Sequence, residues 1–284
     1  MNRNPARLAT SGSDRQGGAR SLLMTMLGEF VLPTGGSVWT TTMVEGLIAL
    51  GVSERNARQA IARSGDQGII CVERHGRLAR WHLTEQGTEL LTVGAERIYG
   101  LGASADSWDH RWLVVICSVP ESQRSKRHQF RTRMTFEGFG FIAPGIAVSP
   151  HVDRENACSR ILQSLDLDDA ITFTATKGSL TLDADVLAKA WELDTLADRY
   201  QEFIDEFDPE DPQTDLAALT TTVRMVDAWR MFPFLDPELP AQLMPADWVG
   251  KLAQDTFDQR RGEWKKAALA WFTSSESAVE PTVT

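Results

Sequence analysis

The sequence predicts an α+β, multidomain protein: an N-terminal winged helix-turn-helix, a central ferredoxin-like α/β domain and a C-terminal, mainly helical domain. Three observations carry that reading. From Thr40 to Leu83 the pattern runs helix, tight turn, helix and basic hairpin. Leu113 to Ala175 then runs strand, helix, strand pair, helix, strand, the order of a ferredoxin-like unit. Beyond Val186, apolar residues recur at helical spacing on both sides of a proline-rich run.

Residues 1–19 are rich in Ser, Gly, Arg and Asn without an apolar core, which predicts a disordered arm rather than a signal peptide. The first domain spans 20–100. Arg20 to Leu32 gathers Leu22, Leu23, Met26, Leu27 and Phe30 on one helical side, and Pro33-Thr34-Gly35-Gly36 ends it. A polar run, Thr40-Thr41-Thr42, leads into an apolar helix, Met43 to Leu50, which Gly51 breaks. Ser53 is placed to N-cap a second helix reaching about Gly65. Ile69–Arg74 and Leu78–Leu83 read as strands joined by His75-Gly76-Arg77, and Thr84 to Tyr99 as a linking helix.

The small, polar stretch 100–107 marks the boundary to a central domain over 101–180. Leu113–Val119 reads as a buried strand, Ser122–Glu137 as a basic helix, and Phe139–Val148 as two strands bent at Pro144-Gly145. Arg154–Leu165 follows as a helix and Ala170–Ala175 as a strand. A helical domain over 181–273 contains Val186–Phe207, an acidic break at Asp208–Pro212, Thr214–Phe232, the prolines of 233–248, and a last amphipathic helix, Lys251–Phe272. Residues 274–284 read as a disordered tail.

The chain has 284 residues and a formal net charge of −10, distributed unevenly. Residues 1–100 carry 11 basic and 9 acidic residues, whereas 101–284 carry 18 and 30. The acidic part is a poor DNA surface, and the N-terminal third is the part suited to nucleic acid. The three cysteines, with no CxxC spacing, exclude a disulfide framework and a cysteine zinc site; Cys71 and Cys117 read as buried thiols. No apolar run is long enough to span a bilayer. Together these features imply a soluble cytoplasmic protein.

The second helix of the first domain is the most informative element. Ala57, Ala60, Ile61 and Ser64 share a small apolar face suited to packing on the preceding helix. Arg55, Gln59 and Ala62 lie opposite, flanked by Arg58 and Arg63, with Asn56 off to one side. Arg and Gln read purine edges in the major groove, and Arg also holds phosphate. The hairpin adds Arg74, Arg77 and Arg80. Thr40, Thr41 and Ser53 sit at helix starts, where hydroxyls and free N–H groups meet phosphate. Residues 53–82 hold six arginines against three acids, a local basic element in an acidic chain. A winged helix that contacts protein instead, with solvated arginines, explains the same residues.

The run Val226-Asp227-Ala228-Trp229-Arg230-Met231-Phe232-Pro233-Phe234-Leu235-Asp236-Pro237-Glu238-Leu239-Pro240, followed by Leu243-Met244-Pro245-Ala246-Asp247-Trp248, closely resembles the C-terminal signature of the PaaX family. Trp108 to Pro150, with Gly138-Phe139-Gly140-Phe141, resembles that family's central domain, and the winged helix its N-terminal part. The resemblance covers roughly residues 20–273. It implies a dimeric bacterial regulator that binds palindromic operators, usually as a repressor of phenylacetate-type catabolism, and that is released by phenylacetyl-coenzyme A or a related aryl-acyl-CoA. Under that reading Arg124, Lys126, Arg127, Arg131 and Arg133 are candidates for the coenzyme A phosphates. Trp229 and Arg230, with Phe232 and Phe234, are candidates for an aryl pocket. The plainer readings are a solvated helix face for the first group and a wedge seating the proline-rich segment for the second.

The central order also resembles the small nuclease of CRISPR adaptation, which carries an Asp where its first strand ends. Here that strand runs out as Cys117-Ser118-Val119-Pro120, so a metal-dependent nuclease would lack its ligand. No GxSxG, HExxH or Walker loop occurs. The acids Asp205, Glu206, Asp208, Glu210 and Asp211 lack an EF-hand's Gly and closing Glu. Neither catalysis nor a cofactor is expected.

Overall fold

The computed structural model describes residues 18–102, 108–179 and 183–279, so the expectations for 1–17, 103–107, the boundary at 180–182 and 280–284 lie outside the described residues. The fold is mixed helix and sheet. The chain forms α1 (Ala19–Met26), β1 (Ser37–Trp39), α2 (Thr40–Ala49), α3 (Glu54–Asp66), β2 (Ile70–His75), β3 (Leu78–Leu83) and α4 (Glu85–Tyr99). It continues with β4 (Arg111–Ile116), α5 (Arg124–Phe136), β5 (Gly140–Ala143), β6 (Ile146–Ser149), α6 (Glu155–Ser164) and β7 (Ile171–Thr176). The last elements are α7 (Asp183–Ala190), α8 (Leu193–Phe207), α9 (Asp215–Trp229), the single turn α10 (Phe232–Leu235) and α11 (Val249–Val279).

Two compact units emerge, and they do not follow the linear division into three domains. Among the described residues, one joins 18–100 with Glu202–Arg230 and 252–279. The other joins Leu101–Gln201 with Met231–Lys251. The helical domain expected over 181–273 is therefore divided between them. The tail expected from 274 is also corrected, because α11 continues to Val279.

In the first unit α1 passes through a π-helical turn, Leu27–Val31, and a 3-10 turn that ends at Gly35, whose φ of 101° only glycine adopts easily. Leu23, Met26, Leu27 and Phe30 are buried. Gly46 of α2 lets Met26 approach its backbone, and Phe30 stacks on Phe272 of α11 at 5.8 Å. Glu29 accepts from Arg261 Nε at 3.0 Å, with the Arg261 guanidinium 4.2 Å from the Tyr99 ring centre. The ring of Trp229 is fully buried between Phe257 (4.6 Å, stacked) and Phe203 (5.1 Å), and its Nε1 donates to the Ile98 carbonyl at 3.2 Å. Three acids of the acidic run are paired: Glu206 and Glu210 meet Arg224, and Asp208 meets Arg260.

The second unit is built on a four-stranded sheet in the order β5-β6-β4-β7, every neighbouring pair antiparallel. Period-two alternation in β4 sends Leu113 and Val115 to one face, where Phe130, Met134, Phe139, Cys158 and Ile161 close a core under α5 and α6. Trp112 points to the other face and packs with Val148, Leu187, Leu239 and Leu243. The proline-rich segment seats there by polar contacts. Asp236 accepts from Tyr200 Oη at 2.7 Å and from the Glu238 N–H at 2.6 Å. Arg154 donates to the carbonyl of Glu137 at 2.7 Å and to the Glu238 carboxylate at 3.0 Å. Gly138, at φ 77°, leaves room for that guanidinium; a Cβ there would collide with it.

Candidate nucleic-acid interface

The polar N-terminal surface is built by three elements locked together. Ser53 caps α3, its hydroxyl accepting the Asn56 N–H at 3.3 Å. Ala57, Ala60, Ile61 and Ser64 are all buried, with α3 packed on α1 and α2. The sheet order is β1-β3-β2, all antiparallel, and β2 and β3 are joined by Gly76-Arg77 with Gly76 at φ 62°, as a type II′ hairpin turn requires.

Trp81 fixes this hairpin to the helices, a role the sequence reading missed. Its ring lies against Gly65 of α3, where a Cβ would come within 2.9 Å of it. Its Nε1 donates to Thr40 Oγ1 at 3.0 Å, and that hydroxyl donates to the Ala79 carbonyl at 2.9 Å. Thr40 thus clamps hairpin to helix, and its hydroxyl is already engaged. The signal available in the sequence was an aromatic residue at an inward position of a strand, opposite a glycine near a helix end.

The structure sorts the sequence-nominated residues into two groups. Arg55, Asn56, Gln59 and Arg63 of α3, Arg74 of β2 and Arg77 of the turn are exposed, as are Thr41 and Ser53. Among the described residues Arg55, Arg63, Arg74 and Arg77 make no ion pair or side-chain hydrogen bond. Arg58 is also exposed but pairs with Glu54 one turn back, at 2.8 Å. Arg80, expected to stand with the free hairpin cations, is instead engaged inward. It donates from Nε to Ser37 Oγ at 3.1 Å, lies 5.1 Å from the Trp39 ring centre and reaches Glu276 of α11 at 3.8 Å. Arg80 shares its face of the sheet with Trp39, Glu73, His75 and His82, while Arg74 lies on the opposite face, in register with Ala79. Cys71, expected to be buried, is exposed; Ile69 and Ile70 supply the buried end of that apolar run.

In the unit built on the four-stranded sheet, a cavity of about 530 Å³ opens between α5 and the turn after β5. Arg124, Arg127, His128 and Arg131 line one side, and Cys117, Phe130, Phe141 and Pro144 form an apolar floor. Arg131 lies 4.7 Å from the Phe141 ring centre, and Arg127 pairs with Glu121 at 2.7 Å. Burial, with the charge of Asp169 adding to it, pushes the Cys117 thiol pKa up, so the floor is a neutral thiol. Arg133 does not line this space; it turns to α6 and donates to Ser164 Oγ at 2.7 Å. Lys126 lies near Asp166. Trp229 and Arg230 belong to the other compact unit. Trp229 is a core side chain, and Arg230 donates to Asp227 at 2.8 Å and to Ser21 Oγ at 2.5 Å. Both are taken up by packing rather than lining an aryl pocket.

Three family models match in succession: the PaaX-like protein model over residues 18–87, the PaaX protein central Cas2-like domain over 105–187, and the PaaX-like protein C-terminal domain over 191–274. A curated relative, the transcriptional repressor PaaX of Escherichia coli (strain K12), is 26% identical over 245 residues, covering 82% of this chain and 76% of its own. Among solved structures, the uncharacterized protein Rv0674 from Mycobacterium tuberculosis superposes with a TM-score of 0.63 at 19% identity, over 89% of this chain and 98% of its own. That last likeness speaks for the fold. With successive models spanning nearly all of the described residues, the chain belongs to the PaaX family.

Proposed function

We propose that this protein is a sequence-specific, DNA-binding transcriptional repressor that acts as a homodimer on a palindromic operator and is released by an acyl-CoA effector. The observation that carries the reading is the set of unpaired cations on one rigid scaffold: Arg55 and Arg63 on α3, Arg74 and Arg77 on the hairpin. Helix pair plus hairpin supports a winged helix. In it α3 enters the major groove with Arg55, Gln59 and Asn56 at base edges, and Arg58 and Arg63 at the flanks. Arg74 and Arg77 hold backbone phosphate or reach the minor groove, and Thr41 and Ser53 approach phosphate from helix starts. The likeness to a named repressor supports the direction of regulation.

The sheet order and its two helical crossovers support a ferredoxin-like second unit. There the cavity beside α5 is the best candidate for the effector: Arg124, Arg127 and Arg131 suit a coenzyme A phosphate, and Phe130 and Phe141 an aryl-acyl group. Phenylacetyl-CoA is the first effector to test, and an aromatic-acid catabolic operon the first target. A coupling of about 1–3 kcal/mol between effector and operator binding changes operator affinity roughly 5- to 150-fold. The protein is a regulator rather than an enzyme; beyond β4 it has Cys117-Ser118 where a nuclease of similar order has its carboxylate.

The test is a gel shift on DNA upstream of the protein's own gene and its neighbours, at stated salt, with and without phenylacetyl-CoA. A shift reversed by the thioester, but by neither free phenylacetate nor free coenzyme A, is the expected result. A shift that no thioester reverses would discard the effector and keep the DNA. No shift on any local promoter would overturn the regulator reading.

A further inference from the structure

The cations that line the cavity beside α5 are not equally available. Arg124, Arg127, His128 and Arg131 stand at i, i+3, i+4 and i+7, one stripe of a helix whose first turn holds no acid. Among the described residues no acid lines the cavity either. Arg124 and His128 make no ion pair or side-chain hydrogen bond among those residues, and Arg131 lies over the Phe141 ring. Arg127 is taken: its Nη1 donates to Glu121 Oε2 at 2.7 Å. Glu121 opens a 3-10 turn, Glu121–Gln123, that leads into α5 and is closed by the Gln123 N–H on the Pro120 carbonyl at 2.9 Å. The acid thus reaches the stripe from the turn before it. Its side chain is 77% exposed and that of Arg127 43%, so the pair is open to solvent.

An exposed pair of this kind adds little to stability. At the edge of a cationic cavity it has a second consequence. It occupies a guanidinium N–H that a ligand anion would use, and it adds a negative charge beside the stripe. A ligand carboxylate, or a phosphodiester with a single charge, meets an acceptor of equal charge already in place. A phosphomonoester carries a charge of about −1.5 to −2 and three strong acceptor oxygens, and so outcompetes a carboxylate for the guanidinium. Taking Arg127 from an exposed partner costs such a ligand only about two- to fivefold in affinity. We infer that Arg124, Arg127 and Arg131 form a phosphomonoester subsite and that Glu121 is its built-in competitor, holding Arg127 until the phosphate displaces it. The inference rests on the proposal that this cavity takes a coenzyme A thioester. It adds which group of that molecule is read here: the ribose 3′-phosphate, the one monoester that coenzyme A carries.

The test is calorimetry on the full chain with three probes: phenylacetyl-CoA, its 3′-dephospho analogue, and adenosine 3′,5′-bisphosphate, which offers the monoester without the thioester. Glu121→Gln keeps the size of the side chain and removes its charge. It should bind phenylacetyl-CoA about two- to fivefold more tightly than wild type. Arg127→Ala should bind it at least about tenfold more weakly, the loss expected for a hydrogen bond to a charged group. In the Arg127→Ala background Glu121→Gln should add nothing, because the competitor no longer has anything to hold. The dephospho analogue should bind wild type more weakly, and with equal affinity to wild type and Glu121→Gln. Equal affinities of wild type and Glu121→Gln for whichever phosphomonoester binds would overturn the inference. So would a gain that survives Arg127→Ala or is the same for both thioesters, since Glu121 would then act only through its charge on the whole ligand. If phenylacetyl-CoA does not bind, but the bisphosphate does and prefers Glu121→Gln, the effector falls and the subsite stands. If neither binds, both fall.

Discussion

Arg77 and Arg80 look equivalent in the sequence, both basic residues of one hairpin, and the structure predicts opposite consequences for removing them. Arg80 makes a hydrogen bond to Ser37 Oγ at 3.1 Å, a cation–π contact with Trp39 at 5.1 Å and a long ion pair with Glu276 at 3.8 Å. Losing the hydrogen bond costs about 0.5–1.5 kcal/mol, and the cation–π contact about 0.5–1 kcal/mol. The ion pair, beyond hydrogen-bonding distance and partly solvated, adds less than about 1 kcal/mol. Arg80→Ala should therefore destabilise the chain by about 1–3 kcal/mol and lower the melting midpoint by roughly 2–4 °C per kcal/mol. Arg77 is exposed in the turn without a partner among the described residues, so Arg77→Ala should leave the midpoint where it is. Its effect should fall on DNA. One phosphate contact fewer reduces the slope of log affinity against log salt by about 0.9, with similar losses on every sequence. Thermal melts and gel-shift titrations at several salt concentrations separate the two. If Arg80→Ala lowers the salt slope as much as Arg77→Ala does, with its midpoint unmoved, the inward assignment of Arg80 is wrong.

Trp229→Ala removes a fully buried ring stacked on Phe257 and should cost about 3–5 kcal/mol in urea unfolding; a loss under about 1 kcal/mol would contradict its place in the core. Arg124→Ala and Arg131→Ala should each weaken binding of a CoA thioester in calorimetry, whereas Arg133→Ala, which turns away to Ser164, should not. An effect of Arg133→Ala equal to that of Arg131→Ala would move the effector out of the cavity. Burial and the nearby Arg154 hold the His151 pKa below its ordinary 6.5, so the folded protein keeps a neutral imidazole where the unfolded chain protonates it. The stability this provides is complete above about pH 6.5 and is lost as pH falls through the folded value. The urea midpoint should drop between about pH 7.5 and 5.5 more in wild type than in His151→Gln, and equal drops would refute the linkage.

Local pattern carried most of the elements. Ser53, Ala57, Ala60, Ile61 and Ser64 mark a capped helix and its inner face without outside help, because both depend on spacing within one element. The partners of those faces were not legible. The apolar residues of α9 and α11 read as a separate helical domain, since periodicity shows that a face will be covered and not by what. Asp227 of α9 binds Ser21 of α1, and Arg261 of α11 binds Glu29. Cys71 failed for a related reason: an apolar run looks buried throughout, yet only its first residues enter the core. The nominated arginines divide in the same way. Residue type announced all of them, but Arg80 was claimed by Glu276 and Arg133 by Ser164, each distant in the chain.

The most recognisable motif of the sequence is also the one furthest from recognition chemistry. Asp236, Pro237 and Glu238 seat a segment whose polar groups are matched by distant partners: Tyr200 on Asp236, Arg154 on the half-buried Glu238, and a glycine at 138 so that Arg154 can reach. Burial pushes the Asp236 carboxyl pKa up, opposed by hydrogen bonds from Tyr200 and the Glu238 N–H. Removing the Tyr200 hydroxyl leaves the Asp236 carboxyl short of a partner, at about 1–3 kcal/mol. Such a motif is demanding because its members depend on one another, and what it reports is a fold. The exposed set Arg55, Gln59, Arg63 and Arg77 obeys the opposite logic. No buried group depends on those side chains, so their replacement changes what is bound at little cost in stability. Chains sharing the proline-rich motif can thus share an architecture and differ in operator, and the operator of this chain is to be sought through α3.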